Sequence, residues 1–142
     1  MTEIKHLVTI NAPAEAVYRA ITDQEGLAGW WTEQTKAQPK VGSIAEFRFG
    51  DRYLNRMRIT GLVPGKKVTW ECIEGDREWI GTRFVFDLEE REGKTVTRFA
   101  HTNWNEATDL YAHCNYHWGR YMTSLKDYCE TGSGTPFRAE RS

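Results

Sequence analysis

Residues 106–131 carry the one sustained helical period of this chain. Leu110, Cys114, Trp118, Tyr121, Leu125 and Tyr128 recur at steps of three or four, and His117, Met122 and Cys129 widen the stripe. Residues so spaced share one face of an α-helix. Gly132 follows as a C-cap. Ahead of this segment the apolar residues alternate instead. Phe47 and Phe49 do so near 44–50, Met57 and Ile59 within 53–63, and Val68, Trp70 and Cys72 within 66–74. Phe84, Phe86 and Leu88 continue the pattern within 78–90, and Thr97, Phe99 and His101 along a last strand. "VGS", "VPGKK", "EGDRE" and "REGK" supply the turns. A sheet built from such strands has an apolar face that must be covered. Only the helix at 106–131 is long enough to cover it.

The N-terminal third completes the pattern. Residues 3–11 place Ile4, His6, Val8 and Ile10 on one strand face. "NAPAEAVYRAIT" then changes period: Pro13 suits a first helical turn, and Val17, Ala20 and Ile21 form a stripe. "DQEGLAGWW" reads as a second short helix or turn, weakened by Gly26 and Gly29. The expected fold is therefore α+β. A six-stranded curved antiparallel sheet wraps round a long C-terminal helix, with two short helices after strand 1. A curved sheet and a straight helix leave a gap between them, and the short helices could close one end of it. Residues 1–132 form a single domain in this reading. Residues 133–142, within "TGSGTPFRAERS", form a flexible C-terminal tail.

Composition narrows the function. A length of 142 residues suits one domain with a sizeable core. Charged residues make up 27% and the net charge is -1, which argues against general nucleic-acid or anionic-membrane binding. No apolar run approaches the ~20 residues of a membrane span. The N-terminus lacks the basic-then-apolar layout of a signal peptide. Cys72, Cys114 and Cys129 are odd in number and form no metal-knuckle spacing, so reduced thiols in a cytoplasmic protein are expected. The aromatic share, 13% with six tryptophans, demands either an unusually aromatic core or a ring-lined cavity.

Four segments carry a family resemblance: "INAPAEAVYRAITDQEGLAGWW", "VPGKKVTWE", "FAHTNW" and "SLKDYCETG". In their order and spacing the chain resembles the START-like (SRPBCC) superfamily with its helix-grip fold. The nearest branch is the one named for the activator of the heat shock protein 90 ATPase. The resemblance implies a hydrophobic cavity between sheet and long helix, with the paired tryptophans closing the short-helix segment beside it. The helix start "YAHCNYHWGRYM" is richer in histidine and aromatics than the family pattern. Eukaryotic activators of full length also carry an N-terminal chaperone-binding domain, for which 142 residues are expected to leave no room.

Neighbouring Trp30 and Trp31 cannot both point into one core in the same way. On one reading, one ring anchors the short helices while the other lines the cavity or its mouth. On the other, both are structural plugs. The candidate ligand site has apolar walls from Trp31, Phe47, Phe84, Phe86, Phe99, Trp118 and Tyr121, with polar contacts from His101 and His117. The expected function is binding of a small hydrophobic or aromatic molecule. The alternatives are a chaperone-activator-like interaction module, which needs an exposed apolar patch, and a polyketide cyclase- or hydrolase-like enzyme. For the enzyme, His101, His117 and Tyr121 are the polar candidates. His113 and His117 share a helix face with Cys114 nearby, but a zinc site needs a further ligand, for which only His101 or Cys72 is in reach. Arg48, Arg56, Arg58, Glu46 and Glu71 fall on the outer, solvated face. There are no paired carboxylates committed to the cavity, no phosphate-binding glycine loop and no serine triad. No metal, cofactor or catalytic residue is assigned, and a homodimer stays open.

Overall fold

The structure, a computed structural model, describes residues 2–138. Its elements are β1 (Thr2–Ile10), α1 (Ala14–Ala20), α2 (Gln24–Trp30), β2 (Gln34–Lys36), β3 (Ile44–Phe49), β4 (Tyr53–Val63), β5 (Lys67–Glu74), β6 (Arg83–Arg91), β7 (Lys94–Trp104) and α3 (Asp109–Thr131). The strands form one antiparallel sheet in the order β1-β7-β6-β5-β4-β3-β2. Consecutive hairpins build its length, and the first strand returns to pair with the last. This is the expected helix-grip arrangement, with α3 against the sheet and α1 and α2 between the first two strands.

The sheet has seven strands rather than six. The additional one, β2, is three residues of polar sequence, and its pairing with β3 comes from tertiary context. Thr32 and Thr35 fix its approach: Thr32 Oγ1 donates to the Arg48 carbonyl, and Thr35 Oγ1 to the Thr32 carbonyl. Strand β6 begins at Arg83, not near 78. Residues 76–81 turn instead, because Asp76 accepts from Glu78 N through its carboxylate and from Trp79 N through its carbonyl. α3 starts at Asp109, where the Thr108 side chain caps Tyr111 N, and ends at Gly132, whose φ of 86° suits glycine.

The two glycines of α2 have a packing reason. A methyl on Gly26 would lie 2.7 Å from Ala20 Cα and 2.9 Å from two carbonyl oxygens of α1. Close contact between the short helices therefore depends on the missing side chain. Trp30 then pins α2 down, donating Nε1–H to the Ala20 carbonyl at 2.7 Å while its own carbonyl accepts from Ser124 Oγ on α3.

After α3 the chain does not run free at once. Phe137 N donates to the Trp31 carbonyl, Glu33 N donates to the Phe137 carbonyl, and Phe137 bridges Thr32. Thus 133–138, expected to begin a flexible tail, lies against the segment joining α2 to β2. The rest of that tail is outside the described residues.

The outer sheet face carries the charges as expected. Arg56 pairs with Glu46 and Glu74, and Arg58 with Glu71. The inner face, α1, α2 and α3 enclose the core, in which Trp30, Trp31, Trp70, Trp104, Phe47, Phe84, Phe86 and Phe99 are all fully buried. No helix among the described residues is long and apolar enough to cross a membrane.

Candidate functional site

The gap between the curved sheet and α3 is filled by rings along most of its length. Trp31 is the hub. Its centroid lies 4.4 Å from Phe47, 5.2 Å from Trp118, 5.9 Å from Trp70 and 6.1 Å from Trp30. Phe99 meets Trp118 at 4.4 Å and Phe86 at 5.0 Å. Phe47, Phe84, Phe86, Phe99 and His101 are no more than 1% exposed. They pack within the ring plug, apart from the residues that line the cleft. Inward-facing rings this large meet across the sheet–helix space beneath Trp31 and Trp118.

His101 is part of that plug. Trp118 Nε1–H points at its Nδ1 at 3.3 Å, and its Nε2 lies 2.8 Å from Thr82 Oγ1. Indole nitrogen can only donate, so Nδ1 accepts and the imidazole proton sits on Nε2. His101 thus donates to Thr82 Oγ1, and Thr82 in turn donates to the Trp79 carbonyl. Burial pushes the His101 pKa down to about 3. Both nitrogens of His101 are engaged by protein groups.

A cleft opens at the outer end of this ring plug, with a volume of about 340 Å³. α3 contributes Leu110, His113, Cys114, His117, Trp118 and Tyr121. The β3–β4 hairpin contributes Phe49, Arg52, Tyr53 and Asn55. Asp76 and Trp79 close it from the 76–81 turn, and Trp31 and Phe137 form its back. Of the nine expected residues, Trp31, His117, Trp118 and Tyr121 come together here. Trp30 is the anchor and Trp31 the ring at the cleft, one of the two readings of the pair.

Arg52, Asn55, Asp76, His113 and His117 bring polar groups to the cleft. His117 Nδ1 faces Arg120 Nη1 at 3.2 Å. Arginine only donates, so this His117 nitrogen accepts and Nε2 bears the proton. Burial first, then the His113 and Arg120 charges, lower its pKa and favour the neutral ring. His113 and His117 lie 4.3 Å apart between centroids. Among the described residues no group of three His, Cys, Asp or Glu side chains is placed to hold a metal ion. The Cys114 thiol is pushed up to about 11 by burial, and those of Cys72 and Cys129 to about 12. These thiols are protonated near neutrality and are poor nucleophiles.

Sequence reasoning missed Trp79, Phe137 and Asn55. Trp79 sits in a turn that looked like strand, and Phe137 returns from the tail. Asn55 had a signal: it is the polar exception in an inward row that continues with Met57 and Ile59.

The sequence pattern described as "Activator of Hsp90 ATPase homolog 1-like protein" matches residues 11–130. Among curated protein sequences none matches this chain. Among solved structures, the "Aha1 dimer" from Colwellia psychrerythraea is 40% identical, with a TM-score of 0.86 over 94% of this chain and 100% of that one. A Staphylococcus saprophyticus protein is 19% identical, with a TM-score of 0.78 over 98% of each chain. CalU16 from Micromonospora echinospora is 16% identical, with a TM-score of 0.76 over 94% of this chain and 76% of that one. The last two share the fold alone.

Proposed function

The chain belongs to the family of activator of Hsp90 ATPase homolog 1-like proteins, and on that premise we propose that it binds a small, flat aromatic molecule in the cleft between α3 and the β3–β4 hairpin. The cleft itself carries this reading: Trp31, Trp79, Trp118 and Tyr121 surround about 340 Å³ of open space at the end of a ring-packed core. Small-molecule pockets start at about 300 Å³ and combine apolar walls with a few polar groups. Rings on several sides offer rigid stacking surfaces for another ring. The occupant lies at the mouth of the fold, not deep between sheet and helix. The cyclase- or hydrolase-like alternative has less behind it, because His101 is sealed and the thiols are protonated. Three unlinked cysteines, of which Cys72 and Cys114 are buried, accord with a reducing cytoplasm.

Thermal shift against flavonoids, aromatic polyketides and fatty acids tests the proposal. Flat aromatics should raise the melting temperature in step with their excess over Kd and quench tryptophan fluorescence, ahead of long-chain fatty acids. Absence of any hit across the aromatic set would overturn the reading.

A second reading, compatible with the first, is a homodimer. The 40% identical Colwellia relative is described as a dimer. Sedimentation equilibrium should return twice the 16.5 kDa chain mass; the monomer mass at all concentrations would reject it. A chaperone partner has less support. The large exposed apolar side chains among the described residues, Leu7, Val41, Ile44, Tyr53, Val63, Ile80 and Tyr116, are spread over β1, β3 and the turn before it, both ends of β4, the 76–81 turn and α3.

A further inference from the structure

One polar side chain of the cleft is nearly buried and makes no hydrogen bond among the described residues. Asn55 is on the inner face of β4 at 6% exposure, and it lines the cleft. No hydrogen bond to its side-chain amide is present among the described residues, and its neighbours are committed elsewhere. Cys72 Sγ donates to the Glu74 carbonyl at 3.4 Å, and Asp76 Oδ1 accepts from Glu78 N at 2.9 Å. The remaining inward residues of the strand, Met57 and Ile59, are apolar and buried. The Asn55 amide is not among the fully enclosed unpaired groups of the described residues, which are His6 Nε2, Thr97 Oγ1 and Trp104 Nε1, so it is open to the cleft; a molecule bound there must either pair with it or leave it unsatisfied.

The orientation of the amide says what would pair with it. A methyl on Gly75 would sit 2.6 Å from Asn55 Oδ1. The oxygen is therefore tucked beneath Gly75, in space that only a glycine leaves free. With the oxygen packed against Gly75, the Nδ2 donors are what the amide has left to offer a bound molecule. Around them stand Trp31, Trp79 and Trp118, which take the flat faces of a ring.

Resting on the cleft reading above, we propose that Asn55 is a specificity-determining hydrogen-bond donor, and that the bound molecule is an aromatic ring system with an acceptor oxygen, such as a carbonyl, on its inward edge. Discrimination follows from the physics. A wholly apolar cleft favours the plain hydrocarbon, because a carbonyl must shed water to enter. A cleft floored by an unpaired donor reverses that order, because the hydrocarbon leaves the donor unsatisfied.

The test uses two bicyclic probes of matched shape, indane and 1-indanone, titrated into the 15N-labelled full chain. The NMR signals followed are the indole N–H of Trp31, Trp79 and Trp118 and the side-chain NH2 pair of Asn55, assigned by its loss in Asn55→Leu. Wild type should bind 1-indanone about tenfold more tightly than indane, and only 1-indanone should move the Asn55 NH2 pair. Asn55→Leu should reverse the preference. Asn55→Asp keeps the size, removes the donor and should also lose the gain for the ketone. Equal affinities for both probes, unchanged in both variants, would overturn the role of Asn55 while leaving the cleft reading intact. If neither probe perturbs the cleft indoles, both readings fall. Should both variants misfold, the probe ratio and the Asn55 NH2 shift in wild type still decide.

Discussion

Trp118→Ala should destabilise the protein by about 3–5 kcal/mol, the usual range for emptying a large aromatic site. Trp118 is 2% exposed and packs against rings from three directions: Phe99 on β7, Phe84 on β6 and Trp31 after α2. Those neighbours stand on paired strands or on a short helix pinned by Trp30, so they can move little to close the space. The loss also strips His101 Nδ1 of its donor. Trp118→Phe separates the two effects, since it keeps most of the packing and removes only the hydrogen bond. That variant should cost about 1–3 kcal/mol, the penalty for a buried acceptor left unpaired. Denaturant titration with an unchanged m-value is the measurement. A loss under about 1 kcal/mol for Trp118→Ala would mean that the contacts with Phe84, Phe99 and Trp31 contribute little and that the ring serves mainly as a wall of the cleft.

The same ring shows what sequence could and could not reveal. Trp118, Met122 and Leu125 follow a 3.6-residue period, and burial follows that period, so α3 and its inner face were readable. Alternation exposed the inner rows of β3 to β7 in the same way. Neither period carries depth. Phe84, Phe86 and Phe99 point inward in any reading. Whether they wall a cavity or fill it depends on how near α3 lies to the sheet, a tertiary distance. That is why only the structure separates Phe47, Phe84, Phe86, Phe99 and His101, packed within the plug, from Trp31, His117, Trp118 and Tyr121, which line the cleft. β2 was invisible for a related reason: a three-residue polar strand has no apolar face to repeat. Trp79 and Ile80 have strand-like side chains, yet the backbone there follows the acceptors of Asp76. Asn55 shows the opposite case. A lone polar residue in an apolar row was visible, and its meaning appeared only once Gly75 and Trp79 stood beside it.

Acid should unfold this protein through His101. Its pKa is about 3 when folded, against 6.5 for a free imidazole, because the ring is fully buried. The folded-state value is depressed, so below 6.5 the unfolded chain takes up a proton that the folded chain refuses. The unfolded state then binds more protons, and stability falls as pH falls. The stabilising contribution is complete above the unfolded value and is lost progressively toward the folded one. From pH 7 to pH 3 the loss from this one group is about 4 kcal/mol, with about 2 kcal/mol of it above pH 5. His117 acts with the same sign, but it is partly exposed, so solvent damps its share. Glu46, Glu89 and Glu130, held low by their hydrogen bonds and ion pairs, add their losses only below the usual carboxylate range. The window from pH 7 to pH 5 therefore isolates the histidines. His101→Gln can still donate toward Thr82 and cannot titrate. It should be less stable than wild type at pH 7 and show a flatter decline to pH 5, measured by urea titration at each pH. Parallel declines in the two proteins would show that His101 accepts a proton without leaving its place between Trp118 and Thr82.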